Sequence, residues 1–339
     1  MTERNRRVVL ASRPEGWVKA DNFRLETVPL PEPREGEVLV KNHYLSLDPY
    51  MRGRMDDAKS YAAPQPLDEV MVGETVGEVV ASKSPKFAPG DMVVGRLGWQ
   101  EYAAADPSVV RKVDATRVPL SAYLGVVGMP GMTAWYGFHK ILAPKAGETV
   151  VVSAAAGAVG GVVGQLAKLA GCRAVGIAGG PEKVRLCLEE FGYDAAIDYK
   201  APSGGDLSAA VAGACPEGVH VYFDNTAGPV SDAVLPHLAV GGRVVVCGTA
   251  SVASWDPPPL GPRVERHLLV KRARMQGFLY FDHLARAEEA VGRLAGWLRE
   301  GKLRHREDVL EGLDQAPGAI AGLYRGENLG KRLIRVGPG

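Results

Sequence analysis

Cysteine is scarce in this chain and poorly placed for either of its structural uses. Among 339 residues there are four, Cys172, Cys187, Cys215 and Cys247, with none before position 172 and no CxxC spacing. That pattern argues against a disulfide framework or a cysteine-based zinc lobe and reads as reduced, buried thiols of a cytoplasmic protein. Long apolar runs are missing too. No span approaches the roughly 18 residues of a membrane helix, and the run Val8-Val9-Leu10-Ala11 after the basic start Arg4-Asn5-Arg6-Arg7 is too short for a signal peptide. Charge of one sign is not in excess: 40 Lys and Arg face 39 Asp and Glu, a net charge of +1. This balance speaks against a broad nucleic-acid or anionic-membrane footprint, so neither is expected as a partner. Repeats and low-complexity tracts are absent. What remains is a globular chain, 46% hydrophobic and long enough for two domains.

One further absence is local. The apolar run Val150-Val151-Val152-Ser153 leads into Ala154-Ala155-Ala156-Gly157-Ala158-Val159-Gly160 and then into the helical stretch Gly161–Leu169. A strand, a small-residue turn and a helix N-terminus form a ready anion site, because orphan backbone N–H groups and the helix dipole converge there. The spacing Ala155-x-Gly157-x-x-Gly160 fits the dinucleotide fingerprint with Ala in the first glycine position, and Ala158 and Val159 complete the loop. Alone, such a loop is also compatible with a tight turn that binds nothing. The next apolar run, Cys172–Ala178, should end in Asp or Glu if NAD is bound through its ribose 2′-OH. It ends instead in Gly179-Gly180, with Lys183 just beyond and Asp198-Tyr199-Lys200 after the third run. A missing acid beside a cation and a phenol suits the 2′-phosphate of NADP. Position alone leaves a second reading of Lys183, a solvated lysine on the first turn of a helix.

Two patterns divide the chain. Up to about residue 125, short strands alternate with turns: Phe23–Val28, Glu37–Asn42, Gly77–Ala81 and Met92–Gly95, with a Pro-rich linker at 29–33. This predicts an irregular β-barrel or sandwich. From Val126, strands and helices alternate, with strands at Thr149–Ser153, Arg173–Ala178, Ala195–Ile197, Val219–Asp224, Arg243–Cys247 and near Lys271–Gly277. Helices are expected at Ala158–Ala170, Glu182–Phe191, Leu207–Ala214, Val230–Ala239 and about His283–Arg299. Continuously apolar strands of this kind are covered on both faces, as in a doubly wound parallel sheet. The tail 326–336 reads as a loop and a closing strand returning to the first domain.

The segments Asn42–Arg52, Gly128–Ala134, Ala155–Gly160, Glu182–Val184, Asp198–Lys200, Tyr222–Asn225, Gln276–Phe278 and Gly326–Lys331, in this order, resemble the zinc-free double-bond reductases of the medium-chain dehydrogenase/reductase superfamily. These are the prostaglandin reductases (leukotriene B4 12-hydroxydehydrogenases), alkenal reductases and curcumin reductases. The resemblance spans nearly the whole chain. It implies an α/β fold: a GroES-like catalytic domain at 1–125, a Rossmann NADP-binding domain at 126–302 and a return to the catalytic domain at 303–339. It also implies a homodimer. Lys183 and Tyr199 match positions that bind the 2′-phosphate; Thr133, Asn225 and Asn328 match positions lining the cofactor; Gly277 and Phe278 match a segment beside the nicotinamide. Tyr50 matches a tyrosine facing the substrate, and an ordinary half-buried phenol after a proline turn is the plainer reading of it. No metal is expected, since residues 1–171 lack cysteine and His43 and His139 have no ligand partners at sensible spacing.

The chain departs from the family in three places. Thr226-Ala227-Gly228 stands for Val-Gly-Gly, Gly179-Gly180 stands for Gly-Ser, and Ala250-Ser251-Val252-Ala253-Ser254 stands for Ile-Ser-x-Tyr-Asn. The last puts Ala253 where a tyrosine reaches the nicotinamide and substrate, with Trp255 or Tyr280 as neighbours that could fill the space. The activity implied is NADPH-dependent, metal-free reduction of the activated C=C bond of an enone or enal, by hydride transfer to the β-carbon. Quinone reduction and a weakly catalytic NADPH-binding role in structure or sensing are the alternatives.

Overall fold

The computed structural model describes residues 4–201, 206–252, 255 and 257–337. The chain folds into two compact units, Met1–Gly125 with Glu307–Gly339, and Val126–Arg306.

The first unit is β-rich. The strand Arg4–Leu10 pairs antiparallel with Phe23–Pro29. A seven-stranded sheet runs in the order Glu307–Glu311, Lys331–Arg335, Val38–Ser46, Thr75–Ser82, Met92–Gly95 and Val110–Lys112, with Tyr102–Ala105 also pairing Val38–Ser46. Val38–Ser46 is thus central, and it bends where its register with Thr75–Ser82 shifts between Leu39 and Val40 and between Asn42 and Tyr44. Such irregularities let a sheet curl toward closure. Leu45, Leu47, Met51, Met55, Trp99, Ile320 and Ile334 form one buried cluster. The C-terminal residues Leu313–Val336 therefore complete a core begun by the N-terminal ones. Sequence reading missed four strands here: Arg4–Leu10, Tyr102–Ala105, Val110–Lys112 and Glu307–Glu311. The first is masked by its arginines, which pair outward with Glu26 and Glu101 while Val8, Val9 and Leu10 point into the core.

The second unit holds a six-stranded parallel sheet. In chain order its strands are Thr149–Ser153, Arg173–Ala178, Ala195–Asp198, Val219–Asp224, Leu238–Val246 and Arg274–Gly277. Across the sheet the order is third, second, first, fourth, fifth, sixth. This is the doubly wound arrangement that reverses direction beside its first strand, where ligands meet the carboxyl ends. The central strand Thr149–Ser153 is buried at every residue, which is why its sequence shows no alternation. Four expected helices are shorter than predicted: Ala158–Ala170 is observed as Gly160–Leu169 and Val230–Ala239 as Gly228–Val234. Pro181–Arg185 is followed by a wider turn at Leu186–Glu190, and the helix Ala287–Arg299 begins only after a tight turn at Tyr280–Arg286. The fifth strand starts earlier than predicted, at Leu238 rather than Arg243, because Leu238 already pairs with Val219 before an irregular stretch at Ala239–Gly242, and the ladder resumes at Arg243. All four cysteines are free, and Cys247 is only half-buried rather than buried. Burial pushes the thiols of Cys187 and Cys247 up to about 12.

Candidate active site

The turn after Thr149–Ser153 is built by close approach. Ala155 donates its N–H to Ile177 O at 3.1 Å, and Gly157 N–H closes on Ala154 O at 2.9 Å. A Cβ at Gly160 would collide with the Ala154 carbonyl and lie 2.8 Å from Ala155 Cα, so this glycine is sterically required. Ala155 is accommodated where the fingerprint has glycine because Gly176 stands opposite. A Cβ there would sit 2.8 Å from that of Ala155. The helix Gly160–Leu169 then follows, tied at its start by the Tyr193 hydroxyl, which donates to Gly160 O at 2.7 Å. Gly161 and Val162 N–H close on Gly157 O and Val159 O, and the helix dipole makes the loop Ala155–Gly160 a cradle of small residues suited to a pyrophosphate.

At the ends of the second and third strands, Asp198 fastens two turns together. Its Oδ1 accepts from Gly180 N–H at 2.7 Å and from Lys200 N–H at 2.9 Å. This draws Tyr199 onto Gly179, where a Cβ would lie 2.9 Å from the phenol ring and its oxygen. Tyr199 remains 45% exposed, and burial of the rest, with Asp198 beside it, holds its hydroxyl above the usual range. Lys183 lies on the first turn of Pro181–Arg185, which begins at Gly180. The two expected 2′-phosphate residues are thus anchored to one end of the sheet through Gly179-Gly180; the second strand itself ends in glycine, and the carboxylate against Gly180 is that of Asp198, from the third strand.

The turn after the fourth strand is organised by a residue that sequence reading did not single out. Asp224, buried, accepts through Oδ1 from Ser153 Oγ (3.2 Å), the Tyr222 hydroxyl (3.1 Å), Thr226 N–H (3.0 Å) and Ala227 N–H (2.9 Å). Through Oδ2 it accepts from Ser231 Oγ at 2.5 Å. Asn225 is held in turn by Ser153: its N–H donates to Ser153 Oγ at 2.8 Å and its side-chain amide to Ser153 O at 2.7 Å. Asn225 therefore stands directly beside the start of the phosphate loop. Only the run Tyr222–Asn225 hinted at this network. Its partners Ser153 and Ser231 are identifiable only in three dimensions.

Gly277 pairs with Val246 at the end of the sixth strand, and a Cβ there would meet nothing within 4 Å. Phe278 stacks near Tyr136, with ring centroids 6.2 Å apart, and Tyr136 stacks on His283 at 3.5 Å. Tyr136 and His283 border a shallow, solvent-open cleft lined also by Met132, Trp135, Tyr280 and Leu284. Thr133 is one turn before Tyr136 on the same helix and hydrogen-bonds Met129 O at 2.8 Å. Tyr280 therefore lies in this aromatic cleft, whereas Trp255 is 57% exposed. Tyr136 and His283 are cleft residues that the sequence did not reveal. Ala253 lies outside the described residues.

In the first unit, Tyr50 is half-buried and opens the short helix Tyr50–Met55 against the main core. The preceding turn is pinned by Lys331, buried, whose Nζ donates to Asp48 Oδ1 at 2.6 Å and to Leu47 O at 3.0 Å. Ser46 Oγ also donates to Asp48. Asn328, buried, closes the loop before Lys331 through its amide on Gly330 O at 2.7 Å. Among the described residues no three His, Cys, Asp or Glu side chains are gathered as metal ligands. His43 and His139 are both held below the usual histidine range, chiefly by burial.

The small-residue cradle, Lys183 and Tyr199 beside a second strand that ends in glycine, and the backbone left open at Gly277 fit a nicotinamide dinucleotide bearing a 2′-phosphate. Comparisons with known proteins agree. Residues 6–113 match a family model described as the N-terminal domain of oxidoreductase, and residues 158–296 match one described as zinc-binding dehydrogenase. The chain is 46% identical over 342 residues to the NADPH-dependent curcumin reductase of Escherichia coli, covering 98% of this chain and 97% of that one. It is 42% identical over 337 residues to the NADP(+)-dependent 2-alkenal reductase of Nicotiana tabacum, with the same coverage. Among solved structures, CurA of Vibrio vulnificus in complex with NADPH matches at a TM-score of 0.92 and 44% identity, over 98% of this chain and 100% of that one.

Proposed function

The chain belongs to the zinc-free enone and alkenal reductases of the medium-chain dehydrogenase/reductase superfamily, and from that premise we propose that it is an NADPH-dependent reductase of the activated C=C bond of α,β-unsaturated ketones and aldehydes. The observation that carries this reading is likeness along the whole chain to reductases of such bonds. NADPH, when bound, supplies a hydride to the β-carbon of the substrate. The protein's own residues bind and orient. The Ala155–Gly160 turn holds the pyrophosphate on backbone N–H groups, Lys183 and Tyr199 hold the 2′-phosphate, and Thr133, Asn225, Gly277, Phe278 and Asn328 position the nicotinamide half. Negative charge gathers on the substrate's carbonyl oxygen as C=C becomes an enolate, and the Tyr50 hydroxyl donates a hydrogen bond to it. A fixed donor aimed at developing charge lowers the barrier without reorganisation.

With Ala253 standing in sequence where the family has a tyrosine, bulky enones are expected to be accepted as well as small ones. Catalysis needs no metal, and the protein works as a cytoplasmic homodimer. The dimer reading is supported by the edge strand Arg274–Gly277 and the neighbouring exposed Leu260, Leu269 and Val270. Metal analysis and solution mass measurement check these two points. No helix among the described residues is long and apolar enough to cross a membrane.

The direct test is NADPH oxidation with a small alkenal, a bulky aryl enone, a quinone and a simple saturated ketone. We expect turnover of both enones and little with the ketone. Preference for the quinone over both enones would overturn the reading.

A further inference from the structure

We propose that Tyr324 is a positioning residue for Tyr50, its hydroxyl fixing the first turn of the helix that carries Tyr50. The inference rests on the reading of Tyr50 as the residue facing the substrate.

That helix, Tyr50–Met55, is short and starts badly. Its N-cap position is Pro49, and no side-chain cap bond forms from it. The turn is closed only by backbone bonds, from Met51 N–H to Asp48 O at 3.1 Å and from Arg52 N–H to Pro49 O at 3.2 Å, while the Asp48 carboxylate is engaged by Ser46 and Lys331. A residue 275 positions away clamps the second of these bonds. The Tyr324 hydroxyl donates to Pro49 O at 2.6 Å and accepts from Arg52 N–H at 3.0 Å. Pro49 O belongs to the peptide group whose nitrogen is that of Tyr50. Fixing this carbonyl fixes the plane from which the Tyr50 side chain departs. Tyr324 sits near the end of the helix Ala316–Arg325, its ring 5.7 Å from that of Trp17. Burial holds its hydroxyl well above the usual tyrosine range, so it stays protonated and able to donate.

The rest of the helix is held independently. The Arg52 guanidinium donates to Gly16 O at 2.7 Å and to Asp56 at 2.5 Å, and Arg13 donates to Met55 O at 2.8 Å. Removing the Tyr324 hydroxyl should therefore leave the helix folded and loosen only its first turn, where Tyr50 departs. A donor displaced by a fraction of an ångström loses most of its transition-state advantage while ground-state binding changes little.

The experiment is a double-mutant cycle of Tyr50→Phe and Tyr324→Phe in the full-length protein. It reads kcat and KM for a small enone, Kd for NADPH and Tm. Tyr324→Phe keeps the ring beside Trp17, which protects the fold. We expect it to lower kcat by about three- to tenfold with NADPH Kd changed less than about twofold, and to have no further effect in the Tyr50→Phe background. An unchanged kcat for Tyr324→Phe, or effects of the two substitutions that multiply, would overturn the inference while leaving the role of Tyr50 intact. An unchanged kcat for Tyr50→Phe would overturn the reading of Tyr50 and this inference with it.

Discussion

Lys183 separates the cofactor reading from a generic dinucleotide fold. A charged hydrogen bond contributes about 1.5–3 kcal/mol. Lys183→Ala should therefore weaken kcat/KM for NADPH by roughly tenfold or more and leave kcat/KM for NADH nearly unchanged. Equal losses with both cofactors would mean that the lysine serves the fold rather than the 2′-phosphate. Residues of this kind are legible because their neighbours in sequence set their place: Gly179-Gly180 ends a strand, and Lys183 is one helical turn further on. Asp224 and Tyr324 were not legible for the opposite reason. A buried Asp and a Tyr near a C-terminus look ordinary until the structure brings Ser153, Ser231 and the Pro49 carbonyl to them. Ala155 shows an intermediate case. The sequence flags it as an exception to the glycine fingerprint, and only the packing reveals that Gly176 absorbs its methyl group.

At the scale of elements, the parallel strands were the easiest to read, since Val150-Val151-Val152 can be buried on both faces only in such a sheet. The strands of the first unit are harder, because Arg4–Leu10 hides its core residues behind paired arginines and Tyr102–Ala105 is only four residues long. One strand junction also makes stability depend on pH. Glu74, at the start of Thr75–Ser82, is partly accessible, yet its Oε2 is buried without a hydrogen-bond partner among the described residues. Burial, with Asp48 nearby, raises its carboxyl to about 7, against the opposing pull of Lys331, Arg111 and Arg96. The folded state then holds a proton that the unfolded chain releases above about 4.5, so stability falls as pH rises from about 4.5 to about 7. The loss is at most about 3 kcal/mol. Urea denaturation at pH 5 and pH 8 should show this decline, and Glu74→Gln should flatten it. An identical difference in the two proteins would place the titration elsewhere.

At the scale of the whole molecule, the α/β class and the order of motifs were visible in the sequence, because each motif is local. Their assembly was not. Lys331 reaches Asp48 across 283 positions, and the last strand, Lys331–Arg335, lies in the sheet between Glu307–Glu311 and Val38–Ser46. No local pattern encodes such pairings; they follow from which apolar faces remain to be covered. The chain as a whole stands as an NADP-dependent oxidoreductase whose relatives reduce curcumin and 2-alkenals, and its central claim is the bond it reduces. The most direct measurement gives the protein NADPH deuterated at the transferred position and a small enone, then locates the label by NMR. The account predicts deuterium on the β-carbon of a saturated ketone. Deuterium on the carbinol carbon of an allylic alcohol would contradict it.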